Sequence, residues 1–158
     1  MGVVTARLAE LGLTLPSVAA PVAAYVPAVR SGKYVYTSGQ LPFVDGALLA
    51  TGKVGDGEGL VAPADAARAA RTAALNALAA VAALIGDLDQ IARVVKVVGY
   101  VASDPSFTGQ PQVINGASEL LGEVFGPAGA HARSAVGVAV LPLDSPVEVE
   151  LQVELRSR

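Results

Sequence analysis

The nine residues VEVELQVEL (147–155) alternate without a break. Val147, Val149, Leu151, Val153 and Leu155 fall on one side, Glu148, Glu150, Gln152 and Glu154 on the other. A period of two places successive side chains on opposite faces of a β-strand. The chain must therefore build a sheet with one face in a core, and something apolar has to cover that face. The cover is legible in PADAARAARTAALNALAAVAALIG (63–86). Pro and Asp open its first turn and Gly86 follows its last apolar residue, the signals that start and stop a helix. Its polar residues gather at the front, so its second half is expected to be buried nearly all round.

The remaining segments fit the same plan. A short amphipathic helix is expected over 3–11, and a Pro- and Ala-rich stretch (16–24) follows it. AYVPAV (24–29) and KYVYTSG (33–39) read as a hairpin about Ser31-Gly32. The glycine-rich segment 44–59 has room for a short strand near 47–50 and then a loop. IARVVKVVGYVAS (91–103) is a long β-branched strand, and a second covering helix is expected from 111 to 125. RSAVGVAV (133–140) and the alternating strand are joined by LPLDSP, a Pro- and Asp-rich turn. The order is β-β-(β)-α-β-α-β-β, an α+β fold with two helices on one face of a mixed sheet. One domain is expected over 1–158, with 1–19 as an N-terminal extension.

If that last turn makes a hairpin, Val140 meets Val147, and Ser134, Val136, Val138 and Val140 continue the valine floor beneath the helices. Arg133, Ala135, Gly137 and Ala139 then share the outer face with Glu148 and Glu150. Small residues between charges on such a face invite close approach by a second copy of the chain, and on pattern alone a solvated face fits equally well.

Composition removes several chemistries. There is no cysteine, so thiol nucleophiles and disulfides are absent, and the single histidine, His131, cannot supply a His-based metal site. A Ser-His-Asp triad is set aside as well, and His131 reads as a loop residue. A net charge of −3 with scattered Lys and Arg argues against a broad nucleic-acid footprint. No apolar run approaches the ~18 residues of a membrane span, and no secretory signal opens the chain, so a cytoplasmic protein without membrane contact is expected. GDGEG lacks the Lys-Ser/Thr ending of a phosphate loop and reads as a flexible loop. Asn76, inside the apolar helix, reads as a buried hydrogen-bonding residue.

What remains is Arg133, the acids of the last strand and the polar tip YTSGQLP (36–42). Arginine offers a planar fork that matches a carboxylate at two points. The glycine of Ser38-Gly39 leaves backbone N–H groups open to a ligand. Glu148 could position or deprotonate a water. These parts suit hydrolysis of a small carboxylate-bearing molecule, although Arg133 could equally pair with Glu154 across the hairpin.

YVPAVRSGKYVYTSGQLP, VVKVVGYVASDPSF, VINGASELLGEVFG and HARSAVGVAVLPLDSPVEVE occur in order over about residue 20 to the C-terminus. Together they resemble the RidA/YjgF family, also labelled endoribonuclease L-PSP-like. The resemblance implies a chorismate-mutase-like fold, a homotrimer and active sites in the clefts between subunits. It implies hydrolytic deamination of reactive imino or enamino acids, 2-aminoacrylate-like, to 2-keto acids and ammonia, without cofactor or metal. The family's carboxylate-binding arginine falls on Arg133 and its water-associated glutamate on Glu148. Its cleft tyrosine falls on Tyr25, its serine-glycine contact on Ser38 and Gly39, and a polar helix residue on Asn115. Two features depart from the pattern. Ala135 stands where the well-studied deaminases commonly carry cysteine, and the N-terminal extension and glycine-rich insert suggest a divergent branch. A non-catalytic binding module for small carboxylates is the competing reading, with a ribonuclease third.

Overall fold

The computed structural model describes residues 2–18 and 24–157. Residues 19–23 of the Pro- and Ala-rich stretch lie outside the described residues. The elements are α1 (Val3–Glu10), β1 (Ala28–Ser31), β2 (Tyr34–Thr37), β3 (Phe43–Val44), β4 (Ala47–Leu48), α2 (Pro63–Ile85), β5 (Ile91–Ala102), α3 (Gln110–Phe125), β6 (Ala132–Val138) and β7 (Val147–Leu155). Five strands form one sheet in the order β1-β2-β7-β5-β6, while β3 and β4 make a separate two-residue ribbon. The α+β fold with a mixed sheet is as expected, with α1 as a third helix.

The sheet's neighbours differ from the expected hairpin. β6 pairs in parallel with β5, across the crossover made by α3, and β7 inserts antiparallel between β2 and β5. Burial explains the choice. In β7 every second residue is buried, which demands a covered place in the middle of the sheet, whereas no residue of β6 is buried. A strand of small, half-exposed residues belongs on an edge. The link 141–146 is therefore not a hairpin turn but a passage across β5, made with a 3₁₀ turn at Pro142–Asp144 in which Leu143 and Asp144 take positive φ.

One face of the sheet is covered. Val35, Val94, Val97, Val101, Leu151 and Val153 meet α2 and α3 there. α2 achieves close contact with alanines: Ala66, Ala70, Ala73 and Ala77 are fully buried. By length and composition α2 could cross a bilayer, with a mean hydropathy of 1.3 over 18 residues, but its apolar side is occupied by α3 and β7. Asn76, read as a buried hydrogen-bonding residue, is hydrogen-bonded but only partly buried. Its Nδ2 donates to the carbonyls of Leu41 (2.9 Å) and Phe43 (3.1 Å), which fixes the loop after β2.

α1 has no side-chain cap of its own. The carboxylate of Asp89 serves instead, accepting from the N–H groups of Val3 and Val4 at 2.7 Å each. Two of the helix's unpaired donors are thus satisfied from 85 residues or more away. Asp89→Ala is expected to cost about 1 kcal/mol, the usual worth of a cap. Amide exchange should quicken in 3–10 and hold elsewhere; unchanged protection of α1 would refute the latch.

Candidate functional site

The residues singled out in the sequence gather in two places. The first lies on the sheet's uncovered face. After β2 the chain pairs once more, Gln40 exchanging hydrogen bonds with Val149 (2.8 and 3.0 Å). That bridge lays Gly39 directly on Glu148, where a methyl group on Gly39 would come within 2.7 Å of the glutamate's Cδ. Only glycine leaves Glu148 its place. The Gly39 N–H donates to no acceptor among the described residues, so a donor stands free beside the carboxylate. Ser38 is tied down, its hydroxyl donating to the Val26 carbonyl (2.6 Å) and its N–H to that of Pro27 (2.8 Å). The same tie holds the segment that begins with Tyr25, a residue 55% exposed.

Glu148 is half-buried, and Glu150 follows it on the same face. Burial, and then the negative charge of Glu150, hold the Glu148 carboxyl above the ordinary glutamate range. Tyr100 lies opposite Glu148 on β5. Its phenol is pushed up by burial, by the charges of Glu150 and Glu148, and by hydrogen bonding to Glu150. A carboxylate whose proton is easily regained, with a donor next to it, can take a proton from water and return it.

The second place is the edge strand. Arg133 Nη1 donates to Asn115 Oδ1 (2.8 Å) and Ser118 Oγ (3.2 Å), and Nη2 donates to the Pro111 carbonyl (3.3 Å), all on α3. Asn115 also borders a shallow groove of about 230 Å³ between α2 and α3, with Arg68 and Arg71 opposite. Those two arginines are paired with Asp65 and Glu123, which leaves Glu119 as the groove's charge without an ion pair among the described residues.

Arg133 and Glu148 do not share a face, against expectation. The parallel register sets Arg133, Ala135 and Gly137 beside Val97, Gly99 and Val101, the helix-covered residues of β5. Ser134, Val136 and Val138 are the ones beside Val98, Tyr100 and Ala102, and Val98 and Tyr100 in turn stand beside Glu150 and Glu148. Val136 and Val140, expected in the floor, are 44% and 66% exposed. The cause is the neighbour: a strand paired to β5 in parallel has its phase set by β5, not by the turn that leads to β7. Nor does Arg133 pair with Glu154, which instead meets Lys33 at 2.6 Å.

His131, read as a loop residue, bonds Ser118 Oγ (2.8 Å) and the Gly129 carbonyl (2.6 Å) and so belongs to the Arg133 cluster. Ser118 is a site residue that the sequence did not single out. Its spacing of three from Asn115, which puts both on one helix face, was the available signal.

The sequence model of the family described as "YjgF/chorismate mutase-like, putative endoribonuclease" matches residues 5–155. Protein TCP17 of Trypanosoma cruzi is 46% identical over 157 residues, 99% of this chain and 96% of that protein. The crystal structure of the protein Atu1372 of Agrobacterium tumefaciens superposes with a TM-score of 0.85 at 47% identity, covering 97% of this chain and 92% of that one. That of a protein from Shewanella oneidensis described as "a putative endoribonuclease" superposes with a TM-score of 0.91 at 36% identity, covering 96% and 99%. Fold and relatives agree, and the chain belongs to the YjgF/chorismate mutase-like family.

Proposed function

We propose that the protein hydrolyses small imino and enamino acids to 2-keto acids and ammonia, in clefts between the subunits of a homotrimer. The observation that carries this reading is the division of the site. The fork that suits a carboxylate stands on an edge strand facing α3, while Glu148 and the free Gly39 N–H stand on the uncovered face two strands away. One chain cannot bring its own halves together. The uncovered face, with Val29, Tyr36 and Val136 exposed among polar side chains, is a surface that copies of the chain can bury against each other. Stacking copies sets one chain's Arg133 edge against another's Gly39 and Glu148.

In the reaction an enamine first tautomerises to the imine. Arg133 holds the substrate carboxylate, and Glu148 takes a proton as water adds to the C=N carbon. Glu148 passes that proton to the nitrogen to give the neutral carbinolamine, then takes the carbinolamine hydroxyl proton and delivers it to the amine as the C–N bond breaks, so that ammonia leaves and the 2-keto acid carbonyl forms. Positioning and one acid–base group suffice. A ribonuclease has less to stand on, since Glu148, Glu150 and Glu154 line the same face and repel a phosphate backbone.

The test follows 2-keto acid release from freshly generated imino acids. Wild type is expected to accelerate it, Arg133→Ala to lose the acceleration, and Arg133→Lys to lose most of it, because a point charge does not replace a two-point fork. Light scattering at micromolar concentration is expected to give three chains. No turnover by the wild type with intact 2-keto acid binding would leave a binding module; a stable monomer would sink the intersubunit site.

A further inference from the structure

The structure assigns His131 and Ser118 one joint role, as positioning residues that hold the Arg133 guanidinium with one chosen edge open. The inference rests on the reading of Arg133 as the carboxylate receptor. The relay starts at Gly129, the end of a 3₁₀ turn after α3. Gly129 is buried so tightly on the Leu121 backbone that a methyl there would overlap the Leu121 carbonyl oxygen, which fixes the position of its own carbonyl. A carbonyl only accepts, so the His131 Nδ1 that lies 2.6 Å from it carries the ring proton. In the neutral ring Nε2 is then an acceptor, and it takes the Ser118 hydroxyl proton at 2.8 Å. That leaves the Ser118 oxygen lone pairs to accept Arg133 Nη1 at 3.2 Å. Ser118 is engaged as donor and as acceptor, and so ties His131 to Arg133.

Counting donors shows what this tie achieves. A guanidinium has five N–H bonds. Both Nη1 hydrogens go to α3, one to Asn115 and one to Ser118, and one Nη2 hydrogen goes to the Pro111 carbonyl. Among the described residues Nε–H and the second Nη2–H have no partner. With Nη1 fully committed, the only two-point seat left for a carboxylate is the Nε/Nη2 edge. Asn115 gives its oxygen to Arg133, and its amide nitrogen donates to no acceptor among the described residues. Without the relay the guanidinium can rotate about its terminal bonds and lose that edge, while keeping its charge.

The test uses the full-length protein and two readouts. In ¹H–¹⁵N spectra of the ligand-free protein, Arg133 Nη protons (assigned by their loss in Arg133→Lys) are expected as separate, slowly exchanging signals. They should merge in Ser118→Ala and in His131→Phe, and stay separate in Ser118→Thr, which keeps the hydroxyl. Calorimetric titration with pyruvate as the probe is expected to show affinity about tenfold lower in Ser118→Ala and His131→Phe, restored to within twofold in Ser118→Thr. Averaged Nη signals in the wild type overturn the relay, as does unchanged pyruvate affinity in variants whose signals have merged. Equal losses in Ser118→Thr and Ser118→Ala overturn it too, since they mark a packing effect. Separate signals that merge in the variants, with no pyruvate binding by wild type, support the relay and remove the deamination reading instead.

Discussion

Glu148→Gln is expected to slow the proposed imine hydrolysis by roughly 10²-fold or more, the usual scale of general acid–base help, with pyruvate binding and the proposed trimer preserved. The substitution keeps the shape that rests on Gly39 and removes only the basic oxygen. Two further signs accompany the loss. Because burial and Glu150 raise the Glu148 carboxyl, its basic form disappears as pH falls through a value above the ordinary glutamate range. The wild-type rate is expected to fall on that acid limb, and the limb is expected to vanish in the variant. The stability sign is opposite to that of a paired carboxylate. A raised native pKa gives stability that is complete below the unfolded pKa and is lost as pH rises through the folded one. At neutral pH the ionised glutamate is therefore a burden on the fold, and the glutamine variant should melt no lower than wild type. Denaturation at pH 7 together with pH–rate profiles checks both; equal rates for the two proteins would remove Glu148 from the chemistry.

Gly116→Ala is expected to destabilise the protein by about 3 kcal/mol, the upper part of the overpacking range. Gly116 lies where α3 crosses α2, and a methyl group there would overlap the Ala67 carbonyl oxygen. The obstacle is backbone, so no rotamer change relieves it and the helices must separate. Separation pulls α2 away from contacts that its fully buried alanines make only at short range. It also moves Asn115 and Ser118 away from Arg133, so the fork loses its frame along with the fold. Gly122→Ala is the control on the same helix. No atom lies within 4 Å of a methyl group there, and helix propensity alone predicts a gain approaching ~1 kcal/mol. Urea denaturation of the two variants is expected to move in opposite directions, and a shift of the same sign in both would refute the close crossing.

What could be read from the sequence was what local chemistry dictates. Pro63 and Gly86 bracket α2 as capping rules require, and the alternation of β7 names its buried face correctly. Resemblance grouped Ser38, Gly39 and Glu148, and the bridge between Gln40 and Val149 brings Gly39 and Glu148 into contact. Alternation, however, fixes the two faces of a strand and not its neighbours. Two β-rich segments with a short Pro- and Asp-rich link between them suit a hairpin, and only the competition for the sheet's centre shows that β7 wins it and β6 goes to the edge. From that single exchange follow the misplaced face of Arg133, the exposed Val136 and Val140, and the separation of the site's halves. The relay was hidden for a related reason. Ser118 and His131 are thirteen residues apart and meet only because α3 folds back along β6.

The central place of β7 also shapes the order of events during synthesis. β7 is the last strand in chain order, yet β2 and β5 depend on it for their pairing, with Tyr34 opposite Glu154 and Val101 opposite Val147. A ribosome adds roughly 5–20 residues each second, so for seconds the emerging chain is expected to hold a hairpin, three helices and a β5-β6 pair with a gap where the middle strand belongs. Through that interval two strand edges stand open to any passing chain. Long-range pairing of this kind folds slowly, and a holdase chaperone that shields the gap is expected to raise the yield of soluble protein more than one that speeds later steps.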